Sequence, residues 1–155
     1  MSPFLVREAA TDEDLKAGFA VRREVFVVEQ GVPEEIEYDA HDATAVHVLA
    51  VRRSDGTALG TGRLLHGPDA AARTGGAEDV GSLGRLAVVR AARGLGIGVA
   101  LVRAIEEAAR ARGLTAVDLH AQTQALGFYE RLGYEAYGTP FQDAGMPHLA
   151  MRRML

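Results

Sequence analysis

Arg93-Gly94-Leu95-Gly96-Ile97-Gly98 stands between an apolar, strand-like run, Leu86-Ala87-Val88-Val89, and a helix-like stretch that ends near Arg112. The first turn of a helix carries backbone N–H groups with no intrahelical acceptor. The helix dipole places partial positive charge at the same end. Glycines at 94, 96 and 98 remove Cβ atoms, so a ligand can approach that backbone closely. Together these features make an anion site. Arg90 and Arg93 flank it and can add charge-assisted bonds to phosphate oxygens. A tight turn alone needs one glycine; three glycines with two arginines point to a phosphate-bearing ligand.

Around this turn the hydrophobic pattern predicts an α/β domain. Phe4 to Glu8 alternates as a first strand, and Thr11 reads as the N-cap of a helix with Leu15 and Phe19 on one face. An apolar segment, Val25 to Gln30, leads to the breakers Gly31 and Pro33. The acidic run 34–43 reads as a loop or short turn at the surface. Val46 to Arg52 and Thr57 to Leu65 form a hairpin about Asp55-Gly56. Residues 66–79 read as a flexible connection before the strand Val80 to Val89. The helix after the glycine turn shows an apolar face of Leu101, Ile105 and Ala108. Arg103, Glu106, Glu107 and Arg110 fall elsewhere on its surface, with Glu106 and Arg110 spaced to pair, and Gly113 caps it. Thr115 to Ala121 is the next strand, 123–132 a short helix stopped by Gly133. Tyr134 to Tyr137 and His148 to Met151 form a closing strand pair around a loop with Pro140, Gly145 and Pro147. The expected order is β-α-β-β-β-α-β-α-β-β. It describes a mixed, mostly antiparallel sheet of about six or seven strands with helices on both faces.

Bulk properties narrow the function. The 155 residues suggest one domain, 1–155. A net charge of −4 gives no basic field for nucleic acid. The absence of cysteine removes disulfides, thiolate metal sites and a cysteine nucleophile. No apolar run approaches the roughly 20 residues that span a bilayer, and the start of the chain lacks a signal-peptide pattern. A soluble cytoplasmic protein with no membrane partner is expected. His41, Asp42 and His47 do not match the spacing of an ordinary metal site, so no metal is expected.

The only lysine is Lys16, so the turn cannot be a nucleoside-triphosphate loop, which ends in Gly-Lys-Ser/Thr. A dinucleotide fingerprint fits in part, with Gly94, Gly96 and Asp118 on the next strand. Val99, however, stands in place of its third glycine, and the chain is too short for both halves of such a sheet.

Two motifs resemble the GNAT superfamily of acyl-CoA-dependent N-acyltransferases. The signature Gln/Arg-x-x-Gly-x-Gly/Ala is matched by Arg93, Gly96 and Gly98. The downstream pattern Asn-x-x-Ala-x-x-Phe-Tyr-x-x-x-Gly-Phe is matched by Gln122, Ala125, Phe128-Tyr129, Gly133 and Tyr134, with Gln for Asn and Tyr for Phe. The segment Arg23 to Gln30, Asp39 and Asp42, and the ending Gly145-Met146-Pro147-His148 are similar to the ElaA-like bacterial acetyltransferases. The resemblance implies that the fourth and fifth strands splay to admit acetyl-CoA. Leu86, Ala87 and Val88 would lie along the pantetheine arm. Arg93, Gly94, Leu95, Gly96, Ile97, Gly98 and Val99 would hold the pyrophosphate, and Gln122, Phe128 and Tyr129 would touch the cofactor. It also implies a homodimer.

Acyl transfer to an amine needs a neutral amine, donors for the developing oxyanion and a proton for the departing thiolate. By resemblance Tyr129 is the general acid and the Val88 N–H the oxyanion donor. Glu29 or His120 is the candidate base. Glu29, Gln30, His120 and His148 are candidate contacts to a small-molecule or peptide amine, and the acidic segment 34–42 could attract a cationic acceptor. The competing reading is a non-catalytic acyl-CoA sensor, which needs neither Tyr129 nor a base.

Overall fold

The computed structural model describes residues 2–155. Its centre is a seven-stranded sheet in the order β1-β2-β3-β4-β5-β7-β6. The strands are β1 (Phe4–Glu8), β2 (Val46–Arg52), β3 (Ala58–Leu65), β4 (Val80–Val88), β5 (Ala116–Gln122), β6 (Glu135–Asp143) and β7 (Met146–Met154). Every neighbouring pair is antiparallel except β4–β5. That parallel pair requires a crossover, supplied by the longest helix. The helices are α1 (Asp12–Arg22), the single turns α2 (Glu34–Glu37) and α3 (Pro68–Ala71), the crossover α4 (Ile97–Ala111), and α5 (Leu126–Arg131). The mixed, mostly antiparallel sheet matches the architecture expected from the sequence.

Strand alternation assigns the two faces. A Cβ at Gly60 or Gly62 would sit 2.9 Å from Leu101 Cδ1 or 2.8 Å from Ile105 Cδ1, so those positions face α4. Between them, Thr61 meets Gly18 of α1, where an added Cβ would lie 3.0 Å from Thr61 Oγ1. The helices therefore lie on opposite faces. The main core gathers on the α4 side around Leu101, Ile105, Leu64, Leu119 and Met151; a smaller one of Val21, Val25 and Ala87 lies under α1.

The structure departs from the sequence reading in five places. The apolar segment after α1 is a π-helical turn, Arg23–Glu29, closed by Gln30 N–H bonding Val25 C=O at 3.1 Å. The acidic run is α2 plus a 3₁₀ turn, Ala40–Ala43, and several of its carboxylates point inward. The connection 66–79 contains α3. The last two strands are longer than expected, because a register shift between Tyr137 and Phe141 absorbs Gly138 and Pro140. Finally, Glu106 is buried rather than superficial. It accepts from Arg103 at 2.8 Å and from the Tyr134 hydroxyl at 2.9 Å, while Arg110 pairs with Glu107 instead.

Candidate active site

Pairing between β4 and β5 runs only from Val80↔Ala116 to Leu83↔Leu119. Beyond Leu83 the two strands part, although β4 continues to Val88 and β5 to Gln122. A bulge produces the divergence. Thr61 of β3 faces Ala87 while Arg63 faces Gly84, so two residues, Arg85 and Leu86, stand opposite Gly62. Arg85 holds φ at 52°, an uncommon value for a residue with a side chain and a mark of local strain. Past the bulge, Val89 N–H donates to Leu59 C=O at 3.0 Å. The alternate residue Val88 therefore turns its N–H and C=O away from β3 and into the gap.

The gap opens into a cavity of about 460 Å³. Leu86, Gln122, Ala125, Phe128 and Tyr129 line it together with Gln30, Arg73, His120, Asp143 and His148.

Beyond Phe128, which lines the cavity, the glycine turn has the expected form. Gly94 and Gly96 take φ values of 82° and 83°, and Gly96 is the N-cap of α4. The Ala100 N–H reaches Gly96 C=O at 3.1 Å. The N–H groups of Ile97, Gly98 and Val99 precede it and have no intrahelical acceptor. A Cβ at Gly98 would lie 3.2 Å from the Phe128 ring, so glycine there lets the two motifs touch. Free amides, a close-approach backbone and a widening strand gap fit a pyrophosphate with an extended arm.

Arg93 donates from Nε to Val88 C=O at 3.0 Å and pairs through both terminal nitrogens with Glu29 at 2.8 Å. Arg90 adds a 3.6 Å contact to Glu29. The Arg93 bonds, followed by the charges of Arg93 and Arg90, hold the Glu29 carboxyl below its ordinary value. A carboxylate so engaged is a weak proton acceptor. Glu29 does not line the cavity, whereas its neighbour Gln30 does, accepting from Gln122 Nε2 at 3.2 Å.

Tyr129 sits on α5, edge-on to Phe128 and Tyr134, with ring centroids 5.0 and 5.9 Å away. Burial pushes its phenol well above the usual range, so it stays protonated. Along β5, Val117, Leu119 and Ala121 join the core on the α4 side. Asp118, His120 and Gln122 therefore face the α1 side, as does His148, which pairs with Gln122. The phenol and the imidazoles thus approach one cavity from opposite faces of the sheet. Burial, then the charge of Arg73, lowers the His120 pKa.

The acidic segment is not free charge. Arg22 bonds Glu37 at 2.8 and 2.6 Å and Asp42 at 2.7 Å; Arg63 bonds Asp39 at 2.7 Å and Asp42 at 2.9 Å. Arg85 swings from the bulge to Glu37 C=O at 3.1 Å and Asp39 at 3.3 Å. Three guanidinium groups match three carboxylates, and Glu37, Asp39 and Arg85 wall the cavity. A cationic acceptor is therefore not drawn by unpaired charge at these positions. Asp118, the acid of the dinucleotide alternative, is instead buried and taken by Arg152 and Tyr137. No cluster of metal-ligating side chains occurs among the described residues. No helix among them is long and apolar enough to cross a membrane.

Sequence reasoning missed Arg85, Arg73, Phe141 and Asp143. The Ala144-Gly145 turn, read only as part of a loop, is the one local signal that could have placed the last two beside His148.

A parallel strand pair opened by a bulge, with a glycine-rich helix end presenting free amides on one side and a protonated phenol at the gap, fits the acyl-CoA-dependent acyltransferase class. The family model described as "Acetyltransferase (GNAT) family" matches residues 13–134, and the chain belongs to that family. Its members use an acyl-CoA co-substrate. The chain is 36% identical over 146 residues to the uncharacterized N-acetyltransferase YjcF of Bacillus subtilis (strain 168), covering 94% of this chain and 96% of that one. An acyl-CoA N-acyltransferase from Pseudomonas aeruginosa superposes with a TM-score of 0.77 at 34% identity, covering 97% and 98% of the two chains. Escherichia coli ElaA superposes at 0.80 with 25% identity, covering 99% of each.

Proposed function

We propose that the protein transfers the acetyl group of acetyl-CoA to a primary amine of a small molecule or peptide, by direct attack in a ternary complex. The observation that carries the reading is the end of β4–β5 pairing at Leu83↔Leu119, which opens one cavity shared by Tyr129, the two imidazoles and Phe128, the ring against which Gly98 of the glycine turn packs.

Acetyl-CoA supplies an activated acyl group as a thioester. The amides of Ile97, Gly98 and Val99, with Gly94, Leu95 and Gly96 shaping the turn, hold the pyrophosphate. Arg93 stands beside them, its guanidinium held by Val88 C=O and Glu29, and adds its positive charge to the turn. Leu86, Ala87 and Val88 offer the unpaired edge of β4 to the pantetheine arm, with Gln122 and Phe128 on the other wall. The Val88 N–H, fixed in the gap, stabilises negative charge on the reacting carbonyl oxygen. Tyr129 gives its proton to the departing sulfur and regains one from the nitrogen as the amide forms. A histidine on the α1-side face takes the proton that the acceptor ammonium must lose. Ammonium and thioester thus become amide, thiol and one released proton.

The sensor alternative leaves this proton machinery without a purpose. Free-thiol release with acetyl-, propionyl- and succinyl-CoA across amine classes tests the choice. Turnover fastest with acetyl-CoA is expected; tight cofactor binding with no turnover on any amine would establish the sensor. The same reading carries a homodimer, which sedimentation of the purified protein would test.

A further inference from the structure

We propose that His148 is the base for the acceptor: its Nε2 takes a proton from the ammonium, breaking one N–H bond, forming Nε2–H and passing the proton on to water. This rests on the acetyl-transfer reading above.

Stereochemistry selects the atom. His148 Nδ1 lies 2.8 Å from Met146 C=O. A carbonyl oxygen only accepts, so Nδ1 carries the hydrogen, and the lone pair of the neutral ring is at Nε2. The same Nδ1–H bond persists when the ring becomes cationic, so orientation does not change with charge. The tautomer is set by the fold. Ala144 and Gly145 take φ of 52° and 75°, which makes a tight two-residue hairpin turn between Asp143 and Met146. That turn delivers the Met146 carbonyl two residues before the imidazole. Phe141, opposite on β6, stacks on the ring at 5.9 Å and 26°. The side chain is buried, and the space it lines is the active-site cavity.

The other candidates lack these features. Both oxygens of Glu29 are bonded to Arg93. His120 touches Phe141 only edge-on, at 5.0 Å and 78°, and its backbone partner is Arg73 in the loop after α3 rather than a carbonyl of its own strand pair. His148 also faces His120 and Gln122 from β5 and Asp143 from β6. Across the cavity stand Arg73 after α3, Arg85 from β4, and Glu37 and Asp39, which are already bonded to arginines.

Two measurements test the assignment. In pH profiles of kcat/KM for thiol release, the unmodified protein is expected to gain activity through a histidine-like ionisation. His148→Gln is expected to be about 100-fold or more slower near pH 7 and to lose that limb. His120→Gln and Asp143→Asn keep the limb, whatever their rates. A limb retained in His148→Gln overturns the assignment and leaves acetyl transfer standing. No thiol release by the unmodified protein with any amine overturns both. Independently of activity, nitrogen NMR of the neutral His148 ring in the unmodified protein is expected to show the Nδ1–H tautomer; the Nε2–H tautomer overturns the proposal.

Discussion

A phenol serves as an acid only while it keeps its proton, and burial guarantees that for Tyr129. Its ring also packs against Phe128 and Tyr134, so deleting the whole side chain would mix catalysis with packing. Tyr129→Phe separates the two. It is expected to lower kcat about 100-fold while leaving the dissociation constant for CoA within about threefold, by steady-state kinetics and calorimetry. An unchanged kcat would remove the phenol from the chemistry. Glu29 offers the contrasting case. A carboxylate held below its ordinary pKa by Arg93 and lying outside the cavity is a poor proton acceptor. Glu29→Gln is therefore expected to keep kcat within about threefold, far from the 100-fold or greater loss of a missing base. A loss of that larger size would return Glu29 to the mechanism.

Turns and helix ends bring these side chains into register, and they are also where the sequence was most readable. Gly96 caps α4 at φ 83°, a value that costs an L-residue roughly 1–2 kcal/mol. Gly96→Val adds bulk where a phosphate must meet backbone amides. CoA affinity is expected to fall more than 100-fold with the fold retained, the order expected for losing several charge-assisted bonds; normal affinity by calorimetry would sink the phosphate-turn reading. The β6–β7 hairpin makes the opposite case. Its turn asks for positive φ at Ala144 and Gly145, for which Asn-Gly is the favoured pair. Ala144→Asn is expected to raise stability by roughly 0.5–1 kcal/mol, or about 1–4 °C in Tm, by thermal unfolding. The glycine turn and the Phe128-Tyr129 motif were legible because spacing within one short stretch carries their chemistry. The π-helical turn at Arg23–Glu29 and the length of β6 were not. A five-residue hydrogen-bond shift leaves no apolar period of its own, and Gly138 and Pro140 read as loop until a neighbouring strand absorbs them in a bulge.

The arrangement of the chain as a whole rests on charges that no local pattern could pair. Arg22 comes from α1, Arg63 from β3 and Arg85 from the β4 bulge, yet they meet carboxylates within six residues of one another, Glu37, Asp39 and Asp42. In the sequence those carboxylates look like a solvated run, because their partners lie 15 to 48 positions away. Folded, the network pins the segment that walls the cavity to the bulge that opens the strands, so stability and site share the same contacts. Burial pushes Asp42 upward, but its bonds to Arg22 and the charges of Arg22 and Arg63 outweigh that and hold it well below the carboxylate range. Asp39, bonded to Arg63, is lowered in the same sense. Because both titrate lower folded than unfolded, their contribution is complete above the unfolded pKa, near ~3.9, and drains as the pH falls through the folded values. The unmodified protein is expected to lose stability steeply below about pH 4. Asp42→Asn leaves the buried arginines short of a counter-charge, a change that typically costs about 3–5 kcal/mol. At pH 7 that corresponds to a fall in Tm on the order of 10 °C. The variant is also expected to show a shallower slope of stability against pH on the acid side, since one of the depressed carboxylates is gone. Urea unfolding of both proteins at a series of pH values checks both effects, and equal midpoints at pH 7 would show that the network orders the cavity wall without stabilising the fold.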